Sequence, residues 1–503
     1  MERIKQKYDV VVIGSGIGGL TCAAYLAKNG LKPIVVEQHS VPGGYCTSFK
    51  RKQFTFDAAV HFLEGLGEGG HFHQILRDLG VEEEIRCRRL DPLYRVFFGE
   101  ESFCVPADVV EYVGMLTERF PSEKRGIFDL FRTIRKLNDE NERLPLVLGM
   151  REKISVPLRF PLVFRYYKKT FSEMLKDFIR DPRLKSVISA GWPYVGLPPS
   201  RVSALTMAQY LHSAHFEGHY YPEGGTQALV ETLARALRRY GGELQLKTRV
   251  SKILTANGRA AGVEVEQGDR IGARYVVSNS DARQTFLNLL GPDKLPSEFL
   301  PHLEGMVPSI SFFQVWLGCS ANVRGNGEYE MFSYPSYDLD HVYGSCLQGG
   351  FGEGCGICIP TLMDPTLAPE NNSIVSIIYP VPYCYEQNWR TEEGKRGTLY
   401  KNLKHEIAQQ LIKTAERVVP ELSGCISVME AATPATLERY TLNFQGAAYG
   451  WDPTPEQSGT SRLQPKTPLE NLYLTGHWTT PGGGTTTVAL SGKNTARMIL
   501  NSR

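Results

Sequence analysis

The sequence predicts an α/β fold built on a parallel sheet, and three observations near its start predict that fold. Residues 9–13 form an apolar, β-branched run, which is typical of a strand buried on both faces. A glycine-rich turn of the pattern G-x-G-x-x-G follows at residues 14–19. Residues 20–28 then favour a helix, Asn29-Gly30 end it, and residues 32–36 form a second apolar run.

The glycine-rich turn has the composition of a Rossmann-type dinucleotide site. Gly14 permits the tight turn, Gly16 lets a pyrophosphate approach the backbone, and Gly19 lets the helix pack closely on the sheet. The helix N-terminus presents free N–H groups and a positive dipole end to the phosphates. Glu37 follows at about the 20-residue spacing where an acid accepts hydrogen bonds from ribose hydroxyls. Because an acid there disfavours a 2′-phosphate, the pattern argues against NADP.

The composition is that of an ordinary globular protein. The chain has 503 residues, of which 42% are hydrophobic and 22% charged, and this length allows two or three domains. A net charge of +2 and the lack of any nucleic-acid module in the sequence predict that nucleic acid is not a partner. Because the sequence has no run of about 20 apolar residues and no signal-peptide pattern, we expect a cytoplasmic location. Ten cysteines are too few for a disulfide framework, so reduced thiols are expected.

Further candidates for ligand contacts follow the acid. The pair Gly43-Gly44 suggests backbone wrapped around a long ligand. Residues 54–62 are strand-like and contain one aspartate, Asp57, and one histidine, His61.

Residues 151–170 differ from their surroundings, since they interleave six basic residues and one acidic residue with Phe, Leu, Val and Tyr. Basic groups among exposed aromatic rings suit a membrane interface, so we expect that this segment contacts a membrane surface, which would make the protein a peripheral membrane protein. The alternative is a charged surface element whose apolar face belongs to the core.

Two clusters resemble metal or redox sites and are interpreted as structural. His212, His215 and His219 have a suggestive spacing, but no cysteine or carboxylate cluster accompanies them, and a glycine breaks the helix between the last two. Cys355 and Cys358 form a C-x-x-C motif without a second pair. We therefore expect no metal site.

The second half of the chain contains further predicted helices and strands and a second glycine-rich turn. Residues 227–240 have helical periodicity, residues 243–267 are interpreted as a small three-stranded insert, and residues 301–382 as a mostly β second domain. Near the end, a short strand at residues 471–475 leads through a glycine-rich turn into a helix that begins at Val488. This repeats the phosphate-binding device of the start, although no acid follows at the usual distance.

Taken together, these motifs resemble the phytoene desaturase family of FAD enzymes, which includes carotenoid desaturases, carotenoid isomerases and retinol saturases. The resemblance rests on the opening fingerprint, the PEGG helix at 222–240, VVSNSDA at 276–282 and NLYLTGHWTTPGGG at 471–484, and it keeps the motif order over nearly the whole chain. FDAAVHF at 56–62 is similar to the isomerase and saturase branch.

The resemblance implies a glutathione-reductase-like, Rossmann-type FAD-binding domain with an interleaved α+β substrate domain. It places the first domain at residues 1–75, 220–290 and 425–503, and a substrate and membrane-facing domain at residues 76–219 and 291–424. The residues expected to bind FAD, from pyrophosphate and ribose to flavin, are Gly14, Ser15, Gly16, Gly19, Glu37, Gly43, Gly44, Val250, Gly476, His477, Gly484 and Val488. Related flavoproteins often have an acid where this chain has His477, which puts that contact in doubt.

The activity implied is desaturation or saturation of C–C bonds in a long apolar polyene, a carotenoid, retinoid or isoprenoid-like lipid, with hydride transfer at flavin N5. His61 is the candidate for polarising or protonating the substrate, and a structural or flavin-supporting role is its alternative. A redox-neutral cis–trans isomerase that uses reduced FAD is the rival function. An amine oxidase and a non-enzymatic lipid carrier are more distant. Because the sequence has no second nucleotide fingerprint, it does not identify the electron donor or acceptor.

Overall fold

The computed structural model describes residues 6–144, 150–392 and 394–502. The strands in chain order are β1 (Gln6–Ile13), β2 (Pro33–Val36), β3 (Ser48–Arg51), β4 (Phe54–Asp57), β5 (Leu63–Glu64), β6 (Cys87–Arg89), β7 (Tyr94–Phe98), β8 (Glu101–Val105), β9 (His219–Pro222), β10 (Glu243–Gln245), β11 (Val250–Ala256), β12 (Arg259–Val265), β13 (Arg270–Ser278), β14 (Ser311–Cys319), β15 (Glu330–Tyr334), β16 (Cys355–Cys358), β17 (Ser373–Val381), β18 (Ile426–Ala432) and β19 (Leu472–Leu474). The helices are α1 (Ile17–Lys28), α2 (His71–Asp78), α3 (Val109–Arg119), α4 (Lys124–Arg143), α5 (Met150–Arg159), α6 (Pro161–Tyr166), α7 (Phe171–Lys176), α8 (Pro182–Ile188), α9 (Ala204–His212), α10 (Thr226–Arg239), α11 (Phe299–Gly305), α12 (Leu339–Gln348), α13 (Thr398–Ala415), α14 (Pro434–Thr441) and α15 (Thr485–Asn501).

The first sheet is the parallel sheet that the sequence predicts. Five strands lie parallel in the order β10, β2, β1, β13, β19, and β13 is also paired antiparallel with β12, which is followed by β11. Val10 and Val12 of β1 face one hydrophobic cluster, whereas Val11 and Ile13 face another. Because β1 is buried on both faces, its run is continuously apolar. The predicted α/β class is therefore confirmed.

One element of the first sheet differs from the sequence interpretation. We expected residues 243–267 to form a small insert of three strands. Instead, β10 joins the parallel sheet beside β2, with Leu244 opposite Val35, and only β11, β12 and the start of β13 form the antiparallel insert. A strand of three residues carries too little pattern to reveal its partner.

The second sheet has seven strands in the order β18, β14, β17, β16, β15, β7, β8, and all neighbours are antiparallel except β15 and β7. The largest hydrophobic cluster lies between this sheet and helices that include α4, α7, α9 and α13. Strand β18 falls in the 425–503 range that we expected in the first domain, yet it is an edge strand of the second sheet. The remaining domain boundaries stay a prediction.

Asp57, at the end of β4, connects the start of α10 to the second sheet through hydrogen bonds. Its carboxylate accepts hydrogen bonds from the hydroxyl of Tyr221 (2.6 Å) and from the backbone N–H of Thr226 (2.8 Å), at the start of α10. Its carbonyl oxygen accepts one from the indole N–H of Trp316 on β14, at 2.7 Å. This network holds the segment that follows, which carries His61, against the second sheet.

The basic, aromatic segment 151–170 forms α5, α6 and the turn after them, and the side chains of residues 151–154 lie outside the described part of the chain. Three of its large apolar groups are buried in the core, namely Phe160, Val163 and Tyr166, and Val156 and Leu162 are partly buried against it. Three others are exposed, with Leu158 at 87%, Phe164 at 47% and Tyr167 at 41%. No helix in residues 6–144, 150–392 and 394–502 has the length and apolar character needed to cross a membrane.

Candidate active site

A single continuous cavity runs from the carboxyl ends of the first sheet's parallel strands to the face of the second sheet. The predicted site residues that line it are Gly14, Gly16, Glu37, Gly43, Gly44, His61, Val250, Gly476, His477, Gly484 and Val488. Ser15 and Gly19 are buried just behind this lining. The structure therefore brings together glycine turns and other groups that are hundreds of residues apart in the sequence.

At one end of the cavity, the turns that contain Gly14, Gly16, Gly43 and Gly476 expose backbone without side chains. This end of the cavity is called the cradle below. A Cβ atom on Gly19 would lie 2.3 Å from the carbonyl oxygen of Gly14, so only glycine lets α1 pack this closely on β1. A Cβ atom on Gly18 would lie 3.0 Å from the Cα atom of Gly476, which brings the C-terminal turn against the N-terminal turn. Gly16 and Gly43 form a parallel β-bridge. The exposed backbone N–H groups of such turns fit a pyrophosphate.

Glu37 is held in place by its own neighbours. One carboxylate oxygen accepts hydrogen bonds from the backbone N–H (2.8 Å) and the hydroxyl (2.7 Å) of Ser15, and the other accepts one from the N–H of His39 at 2.8 Å. A carboxylate offers about four acceptor positions, so one remains for a ribose hydroxyl. Ser15 thus orients the acid, which is consistent with its lying behind the cavity wall.

Asn279 is a residue of the cradle that we did not identify from the sequence. It follows β13, it lines the cavity, and its side-chain nitrogen would lie 2.8 Å from a Cβ atom on Gly16. Its side-chain oxygen would lie 2.9 Å from a Cβ atom on Gly18 and 2.5 Å from one on Gly476. The signal was present in the sequence, because Asn279 follows a buried parallel strand at the edge where ligands bind.

His477 lines the cavity beyond Gly476. Burial, and then the positive charge of Arg462, lower the pKa of His477 to about 3, so this residue is neutral at pH 7. Its ring nitrogen Nε2 lies 3.4 Å from the side-chain oxygen of Asn443. A neutral imidazole in this position is able to exchange hydrogen bonds with a ligand but does not carry the charge of an acid.

His61 meets a partner that sequence reasoning missed. Its Nε2 lies 3.1 Å from a carboxylate oxygen of Glu330, on β15, and its Nδ1 lies 3.4 Å from the carbonyl oxygen of Ala59. Burial is the largest influence on the pKa of His61 and lowers it, but the charge and hydrogen bonding of Glu330, with smaller contributions from Ala59 and Asp57, together outweigh burial, so the pKa is raised above its ordinary value. The carboxylate of Glu330 therefore favours the protonated form of an imidazole in the cavity wall.

The wall around this pair is largely aromatic. The Tyr194 ring centre lies 6.0 Å from that of His61 and 4.8 Å from that of Phe62. Towards the second sheet, further apolar and aromatic groups line the cavity, namely Trp192, Phe312, Phe332, Tyr334, Val342, Ile378 and Tyr379. A lining of this kind suits an apolar ligand held by few polar contacts.

The histidines and cysteines that resemble metal ligands belong to the packing. The ring of His215 stacks on Tyr112 with centres 4.2 Å apart, and that of His219 stacks on Phe62 at 4.1 Å. Cys355 and Cys358 are buried on β16. Among the residues that the structure describes, no group of three or more His, Cys, Asp or Glu side chains is suited to hold a metal ion.

Comparison with known proteins identifies the chain's family. The family model described as flavin containing amine oxidoreductase matches residues 17–341, which is more than half of the chain. The chain belongs to this family. It is an FAD-dependent oxidoreductase, which confirms the expected cofactor and the expectation of an enzyme.

Relatives and solved structures agree with this assignment. The chain is 29% identical to the chloroplastic prolycopene isomerase of Daucus carota over 98% of its own length and 80% of the relative. It is 27% identical to the all-trans-retinol 13,14-reductase of Rattus norvegicus, over 95% and 83%. The resemblance to the isomerase and saturase branch is thus confirmed.

Solved structures of lower identity support the fold. An oxidoreductase from Methanosarcina mazei superimposes with a TM-score of 0.64 at 18% identity, covering 98% of this chain and 100% of the other. A putrescine oxidase bound to putrescine gives 0.65 at 15%, covering 98% and 99%. The shared architecture is that of an FAD-binding oxidoreductase.

The cradle therefore fits FAD. The glycine turns and the N-terminus of α1 would hold its pyrophosphate, Glu37 the ribose, and the start of α15 the flavin end. Bound there, FAD supplies hydride transfer at its N5 atom. The residues assigned to each part of the cofactor stay a prediction.

Proposed function

We propose that this enzyme acts on the C–C double bonds of a long apolar polyene, a carotenoid, retinoid or isoprenoid-like lipid, by adding or removing hydrogen across a C–C bond. The observation that supports this most directly is the continuous cavity. It joins the cradle to the aromatic chamber, which is the part of the cavity lined by Trp192, Phe312, Phe332, Tyr334 and Tyr379. Two relatives are named for polyenes, prolycopene and all-trans-retinol.

Within this proposal, the protein excludes water, orients the polyene and holds a proton next to it. The aromatic chamber excludes water, so a charge in its wall acts strongly. Glu330 lies 3.1 Å from Nε2 of His61, and its carboxylate favours a proton on that nitrogen. We assign His61 the role of polarising or protonating the substrate, with Glu330 as its positioning residue.

The test is anaerobic incubation of the FAD-loaded protein, with the flavin reduced or oxidised, with a panel of C20–C40 polyenes, followed by mass analysis. A product shifted by two hydrogens supports the proposal, and the sign of the shift gives the direction. Loss of His61 in the variant His61→Gln should lower turnover about 100-fold or more. His302→Gln, which changes an exposed histidine on α11, is the matched control and should leave turnover unchanged. A panel without any changed polyene would refute the proposal.

A redox-neutral cis–trans isomerase is the second candidate, and the relative named prolycopene isomerase favours it. The same cavity and the same His61–Glu330 pair would serve it, because a bond rotates after transient protonation or electron transfer. Constant product mass with a changed retention time, dependent on reduced flavin, would identify this reaction.

We also propose that the exposed part of segment 151–170 rests on an anionic lipid surface, where an apolar substrate partitions. Leu158, Phe164 and Tyr167 stand out from the surface beside the exposed cations Arg159 and Lys168. Apolar groups enter the headgroup region while the cations meet anionic lipid. The protein would then be cytoplasmic and peripheral to the membrane.

Flotation with vesicles that contain phosphatidylserine tests this surface. Leu158→Glu should abolish flotation. Leu399→Glu changes an equally apolar exposed residue on α13, outside the segment, and should keep it. Flotation of both variants, or of neither, would contradict the assignment of the surface.

A further inference from the structure

Another acidic residue, besides Glu37, reaches the cavity at the cofactor end. Glu64, on β5, lines the cavity, and one of its carboxylate oxygens would lie 3.7 Å from a Cβ atom on Gly484. Its carbonyl oxygen accepts a hydrogen bond from the hydroxyl of Thr486 at 2.8 Å, which fixes β5 against the start of α15. The role proposed for His61, polarising or protonating the substrate, does not involve Glu64.

Behind Glu64 lies a second carboxylate, that of Glu217, in the turn that follows α9. The space for it exists because the next residue, Gly65, has no side chain: a Cβ atom there would lie 2.8 Å from a carboxylate oxygen of Glu217. The two carboxyl groups are close enough to influence each other's charge. Burial, and then the negative charge of Glu217, raise the pKa of Glu64 to about 7.

The other oxygen of Glu217 faces the protein surface. It lies 3.1 Å from Nδ1 of His71, at the start of α2, and 3.7 Å from Nδ1 of His212. The His71 side chain is 34% exposed, and its Nε2 lies 3.5 Å from a carboxylate oxygen of Glu142 at the surface. The hydrogen bond to Glu217 is the main cause that raises the pKa of His71.

We propose that His71, Glu217 and Glu64 form a proton path from solvent to the cofactor end of the cavity. This rests on the proposed function, since adding hydrogen to a double bond consumes a proton. Glu64 releases its proton into the cavity. His71, in the neutral form with its proton on Nδ1, takes up a proton from water on Nε2 and passes the Nδ1 proton to Glu217, which passes it to Glu64. Rotation of the neutral ring then returns an N–H group to the Glu217 side. One proton therefore enters for each that leaves.

The other groups that face Glu64 do not replace this route. Tyr210 on α9 is buried and Tyr449 is half-buried in the cavity wall, and the Glu64 charge is one of the causes that keep their pKa values raised, after burial. His219, opposite Glu64 on β9, has a pKa well below its ordinary value, because of burial and then the charges of His215 and His61. These groups neither take up nor release a proton near pH 7.

Around His71, the charged neighbours are Glu142, Glu217 and Lys493, and His212 lies on the far side of Glu217. Lys493, on α15, is held by Asp78 at 2.7 Å. Burial lowers the pKa of His212, which leaves it neutral. His71 is therefore the histidine of this group whose pKa is raised and whose ring is open to water.

Infrared titration of the isolated protein tests the path without turnover, using the carbonyl band of the protonated Glu64 side chain, assigned with Glu64→Gln. Glu217→Gln should lower the pKa at which this band disappears, whereas Glu223→Gln, a surface acid paired with Arg88, should not. A band that titrates alike in the wild type and in Glu217→Gln overturns the path.

Turnover gives the second readout, with whichever polyene the panel identifies. His71→Gln or Glu217→Gln should lower kcat about tenfold at pH 8 with little change in KM. Both should raise the solvent deuterium isotope effect, and imidazole buffer should restore their rate. A purely structural role would give no rescue. Unchanged kcat in both variants would overturn the path, whereas failure of the whole panel would refute the proposed function and leave the infrared result to decide the path.

Discussion

Replacing Glu330 with glutamine removes the negative charge beside His61 and keeps the side-chain size. At an effective dielectric constant of about 20, two unit charges at the 3.1 Å that separates Nε2 from the Glu330 oxygen attract by about 5 kcal/mol. Since 1.36 kcal/mol corresponds to one pKa unit, we expect the pKa of His61 to fall by about 2 to 4. Burial, the largest influence on this histidine, then outweighs the remaining contributions of Ala59 and Asp57, so we expect the pKa to drop below the value of about 6.5 for free histidine.

The assay is an NMR pH titration of protein labelled with ¹⁵N-histidine, in which His61→Gln assigns the signal. Glu353→Gln is the control, because Glu353 also lines the cavity but is exposed. A pKa of His61 that stays the same in Glu330→Gln would refute the electrostatic reasoning and, with it, the role of Glu330.

The same substitution changes how stability depends on pH. The pKa of His61 is raised in the folded state, so its stabilising contribution is complete below the unfolded value of about 6.5 and is lost as the pH rises through the folded pKa. In Glu330→Gln this loss should disappear, and it would be measured as thermal midpoints across that pH range.

Two further substitutions test the packing around the site, and a change of salt concentration tests the membrane surface. Gly19→Ala should lower stability by about 1–3 kcal/mol and release FAD during purification, since its Cβ atom would lie 2.3 Å from the Gly14 carbonyl oxygen; Gly305→Ala, which meets no atom within 4 Å, should retain flavin absorbance. Asp57→Ala should cost about 2 kcal/mol or more because a charged acceptor of several hydrogen bonds is lost; an unchanged thermal midpoint would show that this network is dispensable. Vesicle flotation should weaken in 1 M salt, where the Debye length falls to about 3 Å, yet persist in part through Leu158; complete insensitivity to salt would exclude the cations from binding.

The sequence predicts the elements around the cofactor cradle well because the motifs that identify them lie close together in the chain. A strand, a glycine turn and an acid within 30 residues determine one βαβ unit, and β1, α1 and β2 begin within a few residues of their predicted limits. The same logic predicted the glycine turn before α15.

The residue pairs to which we assign proton chemistry, His61 with Glu330 and Glu64 with Glu217, could not be predicted, since each pair joins distant segments of the chain. His61 and Glu330 meet because the segment after β4 lies against the second sheet, where the hydroxyl of Tyr329 donates a hydrogen bond to the carbonyl oxygen of His61, and no local pattern near either residue encodes that neighbourhood. Glu64 looks like an ordinary acid in a short strand until the missing side chain of Gly65 admits Glu217.

Strand β19 reaches its place beside β13 only after almost the whole chain has been synthesised. Translation proceeds at about 5–20 residues per second, so the roughly 200 residues between Val276 and Leu472 take about 10 to 40 s. During that time part of the edge of β13 is an unpaired strand, which invites pairing with other chains. A nascent chain must therefore be shielded by chaperones, and chains cut short before Leu472 should aggregate although they contain the complete dinucleotide fingerprint.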